Sequence, residues 1–253
     1  MSLRGRIAPD SPLPSAAHRA VMLAASRRPG GRGDASSAAI ARALSTSALG
    51  RFDAGEREWV DRIEERRRRI PASASGPEDI RRACPHWSIP RVWGRFLMRL
   101  VRELRPASCM ELGVGFGMSG AYQAAALALN GEGTLACLDQ EEDLAAIARD
   151  GFTELGLDSR VTMRMGPIGQ TLAGAAEEAA PIDYAYIDAE HTEDATYANF
   201  EGLLPHLSPG AVVAVDDIQV DAGMARAWAR IAASRQVAFA LGVRRIGLVV
   251  VAA

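Results

Sequence analysis

The sequence predicts an α/β fold: an open, doubly wound sheet of seven strands, the last antiparallel, preceded by an N-terminal helical extension. Three observations carry this expectation. Beyond residue 106, short apolar runs alternate with stretches of helical period and length, the rhythm of parallel strands joined by crossover helices. The first run, Ala107 to Leu112, reaches an acidic residue, Glu111, and opens into Gly113, Gly115 and Gly117, after which an apolar helical pattern runs from Tyr122 to Leu129. A strand, a glycine turn and a helix in that order form a nucleotide-binding unit, because the glycines admit a tight turn and the helix N-terminus favours anionic groups. Finally, the runs 236–241 and 246–252 are joined only by Gly242-Val243-Arg244-Arg245, too short for a crossover, so they are expected to be antiparallel neighbours.

The elements follow in order. Strands are expected at 107–112, 134–139, 161–165, 183–188 and 211–215, with helices at 118–129, 143–155, 169–179, 192–206 and 222–233. Upstream, a helix begins at Asp34, carries Ile40, Leu44 and Leu49, and stops at Gly50. A second begins near Asp53, with Glu56 three residues on as in a capping box, buries Trp59, Val60 and Ile63, and is broken between Pro71 and Pro77. A third starts around Ser88 and Pro90, and Val92, Trp93, Phe96, Leu97, Leu100, Val101 and Leu104 give it one wide apolar face. The chain thus divides into a poorly ordered lead-in at 1–33, a helical cap or oligomerisation region at 34–105, and an α/β domain at 106–253.

Composition narrows the function classes. With 48% hydrophobic and 24% charged residues the chain is that of a soluble globular protein, and no apolar run approaches the roughly 18 residues of a membrane span. Cys84, Cys109 and Cys137 have no metal-binding spacing and suit a reducing, cytoplasmic setting. The net charge of −2 hides an asymmetry: residues 1–105 carry 21 Arg against 11 acids, and residues 106–253 carry 8 Arg against 20. A basic arm could bind nucleic acid, but docking on the protein's own acidic part or on a partner subunit is the simpler expectation. Arg66–Arg69, beside Glu64 and Glu65, reads as a solvated helix face.

Ligands of such sheets bind at the carboxyl ends of the strands. The second strand ends in Asp139, an acid suited to accept hydrogen bonds from both hydroxyls of a ribose. The fourth ends in Ile187-Asp188-Ala189-Glu190-His191 and the fifth in Val215-Asp216-Asp217. Three carboxylates and a histidine therefore converge on the edge that carries the glycine loop. Clustered carboxylates need a compensating cation, and oxygen ligands suit a hard ion such as Mg²⁺. Alternatively, Asp216 or Asp217 caps the following turn and His191 the helix at Thr192.

Together, Glu111 to Gly120, Asp139, Ile187 to His191, Leu207-Ser208-Pro209-Gly210 and Val215-Asp216-Asp217 resemble the motifs of class I S-adenosylmethionine (SAM)-dependent methyltransferases, whose sheet is Rossmann-like. Within that class the sequence is most similar to metal-dependent O-methyltransferases of the catechol type and their bacterial natural-product relatives. The resemblance implies cofactor contacts at Glu111, Gly113, Gly115, Gly117, Ser119, Asp139, Gly166, Ile168 and Asp188. It implies Mg²⁺ or another divalent ion on Asp188, Asp216 and Asp217, with Asp188 and His191 catalytic. The expected reaction moves a methyl group from SAM to a small-molecule hydroxyl, with His191 as base near its ordinary pKa of about 6.5. The N-terminal helices are expected to cap the mouth of the site or to form a homodimer surface. Two other classes stay open. Gly115, Gly117 and Gly120 satisfy the G-x-G-x-x-G of NAD-dependent oxidoreductases, and the arginine-rich arm would suit a nucleic-acid methyltransferase, although it lacks interleaved aromatics for base stacking.

Overall fold

The computed structural model describes residues 16–26, 35–72 and 76–252. Ten α-helices and seven strands are present among them, in the order α1 (Ala16–Ser26), α2 (Ala35–Ala48), α3 (Ala54–Arg69), α4 (Glu78–Trp87), α5 (Arg91–Leu104), β1 (Ser108–Leu112), α6 (Met118–Asn130), β2 (Thr134–Asp139), α7 (Glu142–Leu155), β3 (Val161–Met165), α8 (Ile168–Ala179), β4 (Ile182–Ile187), α9 (Glu193–Leu203), β5 (Leu207–Val215), α10 (Ala222–Ala232), β6 (Val237–Val243) and β7 (Ile246–Val251). The strands form one sheet in the order β3-β2-β1-β4-β5-β7-β6. β1 to β5 are mutually parallel, and β7 runs antiparallel to both β5 and β6. The chain winds outward from β1 to β3 on one side and from β4 onward on the other. The space above β1 and β4 is therefore the switch point where such sheets bind ligands.

Strand residues alternate between the two faces, as the period of a strand requires. Cys109, Val212, Ala214, Leu248 and Val250 face a core shared with α1, α2, α5, α6 and α7, whereas Met110, Leu112, Val213, Val215 and Val249 face one shared with α8, α9 and α10. On the first face α6 is buried almost all round, sandwiched between the sheet and α5. The close approach needs Gly94, since a Cβ there would stand 2.3 Å from the Tyr122 ring.

The N-terminal helices pack on the sheet. α2 and α5 pack on each other, α2 reaches β5 and α1 reaches β6, so these helices complete a face of the sheet rather than cover a mouth. Their apolar stripes explain this placement: Trp93, Phe96, Leu97, Leu100 and Val101 of α5 and Ile40, Ala43 and Leu44 of α2 are all buried. The lead-in expected at 1–33 is also corrected in part. Residues 16–26 form α1, with Met22 and Ala25 buried, while 1–15 and 27–33 lie outside the described residues. α4 was not expected, because it carries Pro85 internally and buries only Cys84.

The arginine run of α3 is half buried rather than a solvated face. Arg67 pairs with Glu64 at 3.1 Å and donates to the Ile89 carbonyl, and Glu64 in turn accepts from the Tyr122 hydroxyl at 2.6 Å. Arg66 donates to the Ile147 carbonyl and to Glu154 of α7. Arg66 and Arg69 on Glu154, and Arg105 on Glu132, dock basic N-terminal residues on the acidic α/β part. Among the described residues no helix is long and apolar enough to cross a membrane.

Candidate active site

Each site-bearing loop leaves the sheet in a fixed position. The first residue beyond a strand is still held by a backbone hydrogen bond to the end of its neighbour: Gly113 to Leu138, Asp188 to Leu112, Gly166 to Asp139 and Asp216 to Ile187, at 2.8 to 2.9 Å. The sheet thus aligns four loops on one edge, and a cleft opens above them. One wall comprises Gly113 to Phe116, Met118 and Ser119 with Asp139, Gln140 and Glu141; the other comprises Asp188 to His191, Asp217 and Arg245. Leu144 and Ile168 line its flank, and Trp87 at the end of α4 with Ser88 and Ile89 of the connection to α5 its rim. Among the described residues of the expected cap, Trp87 to Ile89 are the ones that line the cleft.

The loop glycines do different work. Gly113, Gly115 and Gly117 all have positive φ, as expected of a tight turn. A Cβ on Gly113 would stand 2.3 Å from the Asp188 carbonyl oxygen, so this glycine lets the two walls meet. Gly117 and Gly120 are packed against Ala148 and against Glu111 and Phe152, respectively, and neither lines the cleft. Gly117 and Gly120 therefore pack the loop on the domain, and of the three glycines of the dinucleotide pattern Gly115 is the one that lines the cleft. Gly115 alone of the four has open space where a Cβ would be, and it faces the cleft. The first turn of α6 has no side-chain cap, so the backbone N–H groups beside Met118 and Ser119 are the anion-attracting end of the helix.

Asp139 is buried and braces this wall: Oδ2 accepts from the Gly115 N–H at 2.7 Å and Oδ1 from the Glu141 N–H at 2.9 Å. Ser119 and Ile168 line the cleft as expected, whereas Gly166 does not and serves instead to turn the chain, at φ 132°, from β3 into α8. Glu111 is also absent from the lining. It lies fully buried beneath the loop, with Oε1 unpartnered among the described residues. Burial pushes its carboxyl up to about 8, a rise opposed by the Ser119 hydroxyl and reinforced by Asp188 and Asp139. A carboxyl raised above its ordinary 4.5 contributes fully below that value, and its contribution is lost as pH rises toward 8. Glu111→Gln is therefore expected to stabilise the protein by roughly 3 kcal/mol at pH 7 and under ~1 kcal/mol at pH 5. Urea unfolding at the two pH values measures this, and an equal effect at both would refute it.

On the opposite wall, His191 Nε2 lies 3.1 Å from Asp188 Oδ1 and 3.5 Å from Asp217 Oδ2. The two carboxylates raise the imidazole to about 10. Asp188 is itself raised above the usual carboxylate range, by burial first and by the Asp216 charge second. Asp216 is buried and does not line the cleft, because Arg245 lies over it: Nε donates to Oδ1 at 2.6 Å and Nη2 to Oδ2 at 2.5 Å. Arg245 Nη2 also stands 3.0 Å from Asp217 Oδ1. Burial works against the Arg245 charge, but Asp216 and Asp217 outweigh it and raise the guanidinium above its ordinary value.

Backbone strain marks the same wall. Glu190, His191, Asp217 and Arg244 adopt positive φ of 47° to 58° without being glycine, and the other described case, Arg105, is the C-cap of α5. Strain of this kind persists where the surroundings fix it and gathers at functional sites. Sequence reasoning missed Arg245 and the rim residues Trp87 to Ile89. The available signal for Arg245 was two arginines in a hairpin turn, where glycine or asparagine is favoured.

Residues 110–218 match the model of a methyltransferase domain. A catechol O-methyltransferase from Niastella koreensis is 31% identical over 135 residues, 53% of this chain and 59% of that protein. The chain spans about half the length of the curated relatives it matches. An O-methyltransferase from Bacillus cereus solved with SAH is 25% identical, with a TM-score of 0.57 over 81% of this chain and 94% of that one. The O-methyltransferase TomG from Streptomyces achromogenes, solved with SAM, has a TM-score of 0.58 at 21% identity, over 80% and 92% of the two chains. The architecture is thus the Rossmann-like fold that these structures share, with the antiparallel seventh strand expected from the sequence.

Proposed function

We propose that the protein transfers a methyl group from SAM to a hydroxyl of a small molecule. The observation that carries this reading is the cleft itself, which sets the glycine loop and Asp139 opposite a wall of Asp188, His191, Asp217 and Arg245. The similarity to a catechol O-methyltransferase and to structures solved with SAM or SAH supports it. The residues fit the donor: Gly115 leaves room for a close ligand, Glu111 keeps an unpartnered buried oxygen beneath the loop, and Asp139 sits where ribose hydroxyls can be received.

When bound, SAM supplies an electrophilic methyl group on a sulfonium and leaves as the neutral thioether. The protein's tasks are to orient the acceptor hydroxyl toward that methyl and to take its proton. The Asp188 and Asp217 carboxylates push the His191 imidazole upward, which favours its charged form over the free imidazole base expected from the sequence. Asp188, raised and lining the cleft, accepts the proton instead, and His191 orients that carboxylate and faces the negative charge developing on the acceptor oxygen. The expected divalent ion does not fit the donor set. Both oxygens of Asp216 are taken by Arg245, and no group of at least three His, Cys, Asp or Glu residues among those described has metal-binding geometry. No step is therefore assigned to a metal.

The test is incubation with methyl-labelled SAM and a panel of phenolic and sugar hydroxyl compounds, alongside calorimetric titration with S-adenosylhomocysteine. Label in an ether product, with micromolar binding of the homocysteine, is expected; absence of binding overturns the reading.

A further inference from the structure

The carboxylates that close the cleft already have a cation. We infer that Arg245 takes the place of the divalent ion expected at this site, so that the protein works without a bound metal. The inference rests on the methyl-transfer reading of the cleft.

Arg245 reaches its position through the sheet. β5 and β7 pair antiparallel with Val215 opposite Gly247, which brings the β6–β7 turn beside the end of β5. The Ile218 N–H then donates to the Arg245 carbonyl at 2.9 Å, tying the turn to the loop that carries Asp216 and Asp217. Arg244 accepts a φ of 54° to make this two-residue turn, where glycine or asparagine would be unstrained. The guanidinium is a planar, permanently charged fork, and it meets both oxygens of Asp216 side by side. For Asp216 to hold a metal it would have to release both contacts and leave a buried charge behind. An ion confined to Asp188 and Asp217 would sit against the guanidinium, which is 3.0 Å from Asp217. Arg245 lines the cleft, so its charge is presented to the space beside Asp188 and Asp217.

Titration of the full chain with Mn²⁺, in the presence of saturating S-adenosylhomocysteine, tests the inference by calorimetry without reference to turnover. Wild-type protein is expected to show no stoichiometric Mn²⁺ binding in the millimolar range. Arg245→Ala, which vacates Asp216, is expected to bind Mn²⁺ at least ~10-fold more tightly than wild type. Micromolar binding of one Mn²⁺ by the wild type overturns the inference, as does a variant that binds the homocysteine normally but gains no affinity for Mn²⁺. If Arg245→Ala does not fold, Arg245→Gln serves, since it keeps the stem and loses the charge. Failure of homocysteine binding by the wild type marks instead the failure of the methyl-transfer reading.

Discussion

Asp188→Asn is expected to lower kcat for methyl transfer by about 10²–10⁴-fold, the usual contribution of a positioned proton acceptor. Asparagine keeps the shape of the side chain and one acceptor oxygen, but it cannot take a proton. Binding of S-adenosylhomocysteine should change by only a few-fold, because the glycine loop and Asp139 lie on the opposite wall. The pH profile separates this role from a structural one. Wild-type turnover on the best acceptor found is expected to rise through a pKa above the usual carboxylate range, the direction in which burial and Asp216 push Asp188. The variant should lack that rising limb and recover part of its rate at high pH, where a phenol-like acceptor, with a pKa of about 10, ionises unaided. A variant with wild-type turnover and an unchanged profile removes Asp188 as the base. His191→Gln provides a contrast. Its loss removes a cation and not an acceptor, so its rate should fall while the limb moves to higher pH, the Asp188 carboxylate having lost the charge that lowers its pKa.

How much of this was legible in the sequence depended on how local the cause was. β2 and β3 lie where the apolar runs placed them, and α3 begins with the capping box that Asp53 and Glu56 spell. Periodicity and capping are decided within a few residues, and a single chain displays them. β5 begins at Leu207 rather than 211, because Leu207 pairs with Ile182 across a register shift that Pro209 and Gly210 conceal. The burial of Arg66 and Arg67 could not be read from a run of four arginines, since their partners Ile147, Glu154 and Ile89 are supplied by tertiary packing. The site followed the same division. Strand ends gave Asp139, Asp188, Asp216 and Asp217 directly, but the cation among the carboxylates comes from a turn 29 residues beyond Asp216, placed by the pairing of β5 with β7. The glycine motif was legible as a motif and not as a division of labour: only the packed neighbours show that Gly115 faces the ligand space while Gly117 and Gly120 face α7 and the Glu111 carboxylate.

The second large effect is expected at Asp139. Asp139→Ala removes the carboxylate that receives the Gly115 and Glu141 N–H groups and, in the proposed complex, the ribose hydroxyls. Hydrogen bonds to a charged acceptor are each worth about 1.5–3 kcal/mol, so losing the ribose contacts and the brace on Gly115 together should weaken S-adenosylhomocysteine binding by at least ~10²-fold. Asp139→Asn distinguishes the two contributions. It retains one acceptor oxygen, but its amide nitrogen must face one of the two backbone N–H groups that the carboxylate now joins. If bracing of the loop dominates, asparagine should lose nearly as much affinity as alanine; if ribose recognition dominates, asparagine should keep part of it, because an amide can still accept from one hydroxyl. In either case turnover at saturating SAM should remain close to wild type, since the proton-accepting wall does not depend on Asp139. Calorimetry with S-adenosylhomocysteine measures the affinity, and an alanine variant that binds as tightly as the wild type removes Asp139 from both roles.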